Sequence, residues 1–476
     1  MTTRWWQWLP HERAAILIFT GFNLILGALS AFAGEPLLLH AIAALALIAL
    51  GFVLVIPNFL ECLLLLLFVF AVELLYNYLG LWAVIGAFVL VLSLALMRSF
   101  VEGFTQWRER LFTRELLLFL GVILASLFWG KPAFNGYRLF GLNLVLGVMV
   151  FALTHFTLSS FRSLHYLTLI LIVVLALNAL YAIFHHLSYG VRATSLFVET
   201  PTYSGHYFVQ GFALAAGAFF SPPFRRLRGF LVVALITLLV ALFLTLTRAA
   251  WLAFLFLILL SAFFSRIPKR YLLAGGIGVG VTVLLAFVFV ATDAFNAMLK
   301  ARIATDIQSA NVSVGSIAFR VLLWQSAWNL FLANPLLGIG FDNFLVLNAL
   351  TPNFPIIRAL GGENLYVHNI YLQTLAETGL VGFLALVILL ISIYAGIAAM
   401  LRHTAQHRYR FLLLGYAGVV SLWLFMGLTE ASLYTPVTAV FFFFILGVLS
   451  GFHKLLQREA ATTSGGPQRS LPGASE

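Results

Sequence analysis

Charged residues are scarce in this sequence of 476 residues: they make up 9% of it, whereas hydrophobic residues make up 62%. A soluble protein carries about 25% charged residues, so water cannot be the solvent for most of this surface. The chain has a single cysteine, Cys62, which lies inside an apolar run. Disulfides and thiolate metal sites are therefore excluded. The sequence also lacks an Asp-x-Asp pair, a His/Cys cluster and a Walker-type glycine loop, the usual signatures of divalent-metal and nucleotide sites.

Long apolar runs take the place of the missing charge. Most are roughly 17–23 residues long, the length that crosses a hydrocarbon core as a helix, and they are continuous rather than alternating, which excludes strands. The sequence predicts an all-α, polytopic transmembrane helical bundle of 12–14 spans. The predicted spans lie near 14–33, 37–56, 59–76, 80–97, 115–130, 138–158, 164–185, 205–220, 229–246, 249–264, 271–291, 379–401, 411–428 and 436–453.

Basic residues give the orientation of these spans. Lys and Arg concentrate in cytoplasmic loops, and most of the 27 in this chain fall in one alternate set of connections together with both chain ends. We therefore expect both termini to be cytoplasmic. The net charge of +11 is explained by these loops, so nucleic acid is not expected as a partner. The outer set holds Lys131, Arg138, Arg192, Arg248, Lys300, Arg302, Arg320 and Arg358.

The spans divide the chain into four regions. Residues 1–292 hold about eleven spans with short loops, 293–368 form one long periplasmic loop, 369–456 hold the C-terminal spans, and 457–476 are a polar tail expected to be disordered. The long loop predicts an amphipathic helix from Ser316 to Leu332 at the membrane interface. Its apolar side is expected to hold Phe319, Leu322, Leu323, Trp324, Trp328 and Phe331. Asn334-Pro335 ends this helix, and Gly338 and Gly340 form the turn after it.

Three residues on the outer side are candidates for chemistry. Arg248 lies at a tight turn between two apolar spans, Arg192 lies in a polar connection, and His368 lies just before the span near 379–401. Taken singly, each has an ordinary reading: a snorkelling arginine, a solvated loop charge and an interfacial histidine with a local hydrogen bond. Together on one side, two guanidiniums suit a diphosphate and a neutral imidazole suits a general base.

Two longer motifs carry a family resemblance. Phe319-Arg-Val-Leu-Leu-Trp-Gln-Ser-Ala-Trp precedes Asn334-Pro-Leu-Leu-Gly-Ile-Gly-Phe-Asp-Asn-Phe, and His368-Asn-Ile-Tyr-Leu-Gln-Thr-Leu-Ala-Glu-Thr-Gly-Leu-Val-Gly follows. These segments resemble the O-antigen ligase/polymerase family of bacterial membrane glycosyltransferases, as does Thr-Leu-Thr-Arg248-Ala-Ala. The resemblance covers roughly residues 190–430. One departure affects Arg192: family members often have Pro-Asn after the first loop arginine, where this chain has Pro201-Thr-Tyr-Ser-Gly.

The resemblance implies a role in lipopolysaccharide biosynthesis in the cell envelope and a place in a bacterial inner (plasma) membrane. The implied donor is an undecaprenyl-diphosphate-linked glycan, and the implied acceptor is a lipid A-core or another glycan. Arg192 and Arg248 would bind the diphosphate, and His368 would be the general base of an inverting, metal-independent transfer on the periplasmic face, with no cofactor. Arg320 either supports the donor or only flanks it, and Asn369 either orients His368 or caps a helix.

The sequence leaves the acceptor open among lipid A-core (ligase), growing glycan (polymerase) and protein hydroxyl (O-oligosaccharyltransferase). We favour the ligase because no added soluble domain is evident. The alternative from another class is a membrane transporter or flippase. Ion-coupled transport usually relies on ionisable groups near the middle of the membrane, whereas Glu61 and Glu73, the carboxylates in the predicted spans, lie nearer an end. A structural assembly factor is the third alternative and predicts that the three outer-side candidates share no polar site.

Overall fold

The computed structural model describes residues 111–130, 140–196, 200–264, 317–359 and 365–464. These residues are almost entirely helical and contain no strand, which confirms the all-α class. The helices are α1 (Thr113–Trp129), α2 (Leu146–Thr157), α3 (Phe161–Tyr189), α4 (Pro201–Phe220), α5 (Arg228–Leu244), α6 (Arg248–Phe264), α7 (Ile317–Ala333), α8 (Phe344–Leu347), α9 (Phe354–Ala359), α10 (Ile370–His403), α11 (Arg410–Met426) and α12 (Pro436–Ser464). A π-helical segment, Phe140–Val145, precedes α2, and 3₁₀ segments cover Pro222–Leu227 and Asn348–Leu350.

Four helices are long and apolar enough to cross a membrane: α3, α5 with its preceding 3₁₀ segment, α10 and α12. Segments 143–157, 248–261 and 410–426 are shorter apolar helices. Many large apolar side chains point outward, including Phe128, Phe184 and Ile391, as expected where lipid rather than water is the solvent. The chain is an all-α polytopic membrane protein, as predicted. The spans predicted near 14–33, 37–56, 59–76, 80–97 and 271–291 lie outside the described residues.

Sequence signals for helix ends explain where these helices begin and stop. Ser160 caps α3 by accepting a hydrogen bond from the Ser163 amide at 3.2 Å, and Gly190 ends that helix with a φ of 64°. Pro201 occupies the first turn of α4, where its missing N–H costs nothing. The last helix, α12, continues to Ser464. Residues 457–464 are therefore helical, whereas the sequence predicts disorder from 457 onward. This segment, Gln-Arg-Glu-Ala-Ala-Thr-Thr-Ser, is rich in helix formers; the rest of the tail is outside the described residues.

Small residues allow the helices to approach closely. A Cβ at Gly217 of α4 would lie 2.8 Å from the Cα of Gly415 in α11. In the same way, a Cβ at Gly447 of α12 would lie 2.6 Å from the Phe151 carbonyl oxygen in α2. In a membrane, such contacts replace the hydrophobic effect as the source of association between helices. Helix α12 is the most buried of the four candidate spans, and α5 is the least.

The described part of the long loop, residues 317–359 and 365–368, forms helices and a turn that pack against the start of α10. Helix α7 buries Phe319, Leu323 and Ala327, at the spacing of one helix face. Trp328 was predicted on this apolar side, but it is 46% exposed. Its position, one residue beyond Ala327, places it about 100° around the helix from the buried row.

Because successive helices run in opposite directions, several connections lie at the same end of the bundle. This end holds the segment after α3, the start of α4, the α5–α6 turn, the start of α10 and the α11–α12 loop. The hydrogen bonds that join them are described below. The opposite end holds the α10–α11 loop, where His407 pairs with Glu459 of α12 at 2.8 Å and Phe161 stacks on Tyr409.

Candidate active site

Arg192 is held against the α5–α6 turn. Its Nε donates to the Thr245 carbonyl oxygen at 2.8 Å and one terminal nitrogen donates to Thr247 Oγ1 at 3.0 Å. The Ala193 amide donates to the Leu244 carbonyl oxygen at 3.0 Å, which fixes the backbone beside it. These bonds place the Arg192 guanidinium next to the residue that precedes Arg248, so the structure brings the two predicted arginines to one turn.

Arg248 is the first residue of α6 and its side chain is exposed. Leu246, two residues earlier, has a φ of 52°, a conformation that is uncommon for a residue other than glycine. That conformation makes the α5–α6 connection tight. Within the described ranges no carboxylate pairs with Arg248.

The first turns of α4 join this arginine turn to the rest of the site. Thr247 Oγ1 donates to the Pro201 carbonyl oxygen at 3.2 Å, and the Ser195 amide donates to Ser204 Oγ at 2.8 Å. One residue away, the Tyr203 hydroxyl accepts a hydrogen bond from Thr435 in the α11–α12 loop at 2.9 Å. The start of α4 therefore contacts the arginine turn and the α11–α12 loop at once.

Glu430 in the α11–α12 loop connects His368 to Arg320. Its Oε2 lies 3.2 Å from His368 Nδ1, and its Oε1 accepts a hydrogen bond from an Arg320 terminal nitrogen at 2.8 Å. The Glu430 side chain is almost fully buried, whereas that of His368 is 23% exposed. The two predicted residues thus meet through a carboxylate that was not predicted.

Glu430 is ionised at neutral pH. Burial alone would raise the pKa of Glu430, but the hydrogen bond and charge of His368, together with the charge of Arg320, reverse this effect and lower it. An ionised carboxylate only accepts hydrogen bonds, so His368 Nδ1 carries the proton of this contact. In the neutral imidazole, Nε2 is then the basic nitrogen, and no described residue bonds it.

Backbone geometry aims the His368 side chain at Glu430. His368 has a φ of 54°, and strained residues of this kind cluster at functional sites. The next residue, Asn369, caps α10: its Oδ1 accepts hydrogen bonds from the Tyr371 and Leu372 amides at 3.0 Å. Of the two roles considered for Asn369, the structure shows helix capping. The Ile370 amide then donates to the Gly427 carbonyl oxygen at 2.8 Å, which fixes the His368 segment against the Glu430 loop.

A second buried carboxylate, Glu377 of α10, anchors the turn after α7. It accepts hydrogen bonds from the Asp342 amide at 3.0 Å and the Phe344 amide at 3.3 Å. It also accepts one from the Tyr434 hydroxyl. Burial raises the pKa of Tyr434 well above its ordinary value, so Tyr434 remains a donor. Tyr366, two residues before His368, donates to Asp342 Oδ1 at 3.1 Å.

Glycines permit the backbone contacts of this anchor. Gly338 and Gly340 have φ values of 68° and 92°, and form the turn that the sequence predicts. Gly379 interrupts α10 with a φ of 63° and a ψ of −163°, a conformation essentially restricted to glycine. This break allows the Leu380 amide to donate to the Pro335 carbonyl oxygen at 2.9 Å. Helix α10 therefore begins at Ile370, before the start of the predicted span at 379, and His368 lies just before this additional helical segment.

Each site residue predicted from the sequence falls at this one end of the bundle. Arg192 and Arg248 share the arginine turn, Arg320 and His368 share Glu430, and Asn369 caps α10. Sequence reasoning missed Glu430 and His206. The signal for Glu430 was available: it is a carboxylate in a short loop that the predicted topology places on the outer side. Within the part of the chain that the structure describes, no group of three or more His, Cys, Asp or Glu side chains is arranged to hold a metal.

Comparison with known proteins agrees with this architecture. Residues 233–387 match the family described as O-Antigen ligase, about a third of the chain, and include Arg248, Arg320, His368 and Glu377. No curated protein matches the chain. The helical membrane fold and the family match support a membrane glycosyltransferase of the O-antigen ligase/polymerase type. The resemblance found in the sequence, to the O-antigen ligase family, is thereby confirmed.

Proposed function

We propose that this protein is an O-antigen ligase-like glycosyltransferase that moves an oligo- or polysaccharide from undecaprenyl diphosphate to a lipid A-core or other glycan acceptor. The observation that carries the proposal is the His368–Glu430 contact: a buried, ionised carboxylate holds Nδ1 and leaves Nε2 basic at a partly exposed position. Two arginines lie at the same end of the bundle. This arrangement suits transfer from a diphosphate donor to a hydroxyl.

The donor diphosphate would bind at the arginine turn. Arg248 is exposed and free of a carboxylate within the described ranges, and Arg192 is fixed beside it by Thr245 and Thr247. Guanidinium groups bind phosphate oxygens through paired, charge-assisted hydrogen bonds. The same charges would stabilise the negative charge that develops on the leaving diphosphate.

His368 would activate the acceptor. As the acceptor hydroxyl oxygen bonds to the anomeric carbon, its proton passes to His368 Nε2 and the bond from that carbon to the diphosphate oxygen breaks. The diphosphate leaves with the electron pair, and the single displacement inverts the anomeric carbon. Glu430 would stabilise the imidazolium that forms, as a carboxylate does beside other catalytic histidines. Arg320 would then hold Glu430 in place rather than bind the donor.

The site would face the periplasm in this scheme, with both chain ends in the cytoplasm. The arginines and His368 do not select the acceptor, because any hydroxyl could present its proton to Nε2. The polymerase and the protein O-oligosaccharyltransferase would use the same residues, and we favour a glycan or lipid A-core acceptor.

The test is transfer in proteoliposomes from a purified undecaprenyl-diphosphate glycan to a panel of acceptors: lipid A-core, the free glycan and a hydroxyl-bearing peptide. We expect a glycan-lengthened lipid A-core or glycan, formed at the same rate with and without a chelator. Complete loss of transfer in chelator would contradict the metal-independent scheme. Movement of the donor across the bilayer without transfer to any acceptor would favour a flippase instead.

A further inference from the structure

His206 of α4 is buried, with 2% of its surface exposed, and the proposed mechanism does not use it. Neither Nδ1 nor Nε2 has a hydrogen-bond partner among the described residues. Leaving buried donors and acceptors unpaired is unfavourable. His155, equally buried, differs in this respect, since its Nδ1 lies 3.0 Å from Ser450 Oγ. Two unpaired nitrogens on one buried ring indicate a position that a ligand completes.

The place of His206 in the fold narrows the choice of ligand. It follows Pro201 and Tyr203 in the first turns of α4. Pro201 contacts the arginine turn, and Tyr203 contacts the α11–α12 loop. Its ring packs edge-on against Tyr203, with centroids 5.5 Å apart. Its ring lies close enough to the Glu430 carboxylate for the two to interact electrostatically. His206 is therefore placed between the two halves of the site.

The proposed reaction assigns a definite group to that place. In a single displacement the attacking oxygen and the leaving oxygen lie on opposite sides of the anomeric carbon. If the diphosphate binds at Arg192 and Arg248 and the attacking hydroxyl binds at His368, the first sugar of the donor lies between them. This step rests on the proposed function, because the positions of both oxygens come from it.

We propose that His206 forms the subsite for the first sugar of the donor and hydrogen-bonds a hydroxyl of that sugar. A neutral imidazole offers one donor and one acceptor, and a sugar hydroxyl offers the same pair. A cation or a carboxylate at this position would instead select charged groups.

The test compares binding of two probes to the full chain in nanodiscs: undecaprenyl diphosphate without sugar, and the same lipid carrying one hexose. His206→Phe keeps the ring and removes both hydrogen-bonding atoms, whereas His206→Gln keeps a donor and an acceptor. His155→Phe is the matched control. We expect His206→Phe to weaken binding of the hexose-bearing probe by about tenfold and to leave the sugar-free probe unchanged. His206→Gln should recover part of the loss, and the control should bind both probes like the wild type.

Equal weakening of both probes by His206→Phe, or no weakening of either, would overturn the subsite. So would a wild type that binds the hexose-bearing probe no more tightly than the sugar-free one. If His206→Phe does not fold, a deoxy series decides with the wild-type chain: removal of one hexose hydroxyl must weaken binding by about tenfold, and a flat series overturns the proposal. A wild type that discriminates between the probes but transfers no glycan would refute the proposed function and leave the sugar subsite intact.

Discussion

Replacing Glu430 by glutamine removes the negative charge beside the His368 imidazolium and leaves the shape of the side chain almost unchanged. The contact from Nδ1 to Oε2 is 3.2 Å, and the carboxylate is almost fully buried. Two unit charges about 4 Å apart interact by about 4 kcal/mol at an effective dielectric constant of 20. Because the His368 side chain is 23% exposed, we take about 2–3 kcal/mol of this as lost from the transition state. The expected fall in kcat is about 30- to 150-fold.

The assay is glycan transfer from the purified lipid-diphosphate donor at saturating donor concentration, with Glu459→Gln as the matched control. That variant breaks a second histidine–carboxylate pair, His407–Glu459 at 2.8 Å, at the opposite end of the bundle, and should keep the wild-type kcat. Because Glu430 acts through His368, the double variant His368→Ala/Glu430→Gln should be no slower than His368→Ala alone. A folded Glu430→Gln variant with kcat within about twofold of wild type would refute the reasoning. Multiplicative losses in the double variant would also refute it.

Three further predictions concern the backbone, the arginine turn and pH. Gly379→Ala forces a side chain into a glycine-only conformation against the turn after α7; folded yield in detergent should fall sharply, whereas Gly121→Ala, where an added Cβ meets no atom within 4 Å, should leave it unchanged. Arg248→Ala should raise the donor KM by at least about tenfold, because a charge-assisted contact contributes about 1.5–3 kcal/mol. It should leave thermal stability as it is, and exposed Arg226→Ala at the other end should change neither. The lowered pKa of Glu430 means that its stabilisation is complete above its ordinary value of 4.5 and is lost as pH falls through the lower folded value. The stability difference between wild type and Glu430→Gln should therefore shrink below about pH 4.5 in thermal melts, and a difference that grows there would contradict this assignment.

The helical architecture was predictable wherever hydropathy and helix breakers act locally. The runs near 164–185 and 229–246 correspond to α3 and α5 within a few residues. Gly338 and Gly340 form their predicted turn because only a positive φ allows the chain to reverse there. Hydropathy could not predict that α10 begins at Ile370, before Gly379. The segment from Ile370 to Gly379 is less apolar than the rest of α10 and is stabilised by contacts with the turn after α7.

The site was predictable in its cations but not in the carboxylate that joins them. Arg248 and His368 stand out as isolated polar residues beside apolar runs. Glu430 lies 62 residues beyond His368 in the chain, and their contact arises only when the α11–α12 loop packs on the start of α10. His206 was overlooked for a related reason: it lies at the polar start of an apolar helix, and its lack of partners is a property of the packed structure.

The central claim is that His368 takes part in the chemical step of glycan transfer. The direct measurement is transfer by His368→Ala in proteoliposomes, made together with donor binding and compared with His407→Ala, the histidine of the opposite carboxylate pair. We expect His368→Ala to lose transfer while it binds donor like the wild type, and His407→Ala to transfer normally. Transfer by His368→Ala at the wild-type rate would exclude His368 from the chemical step.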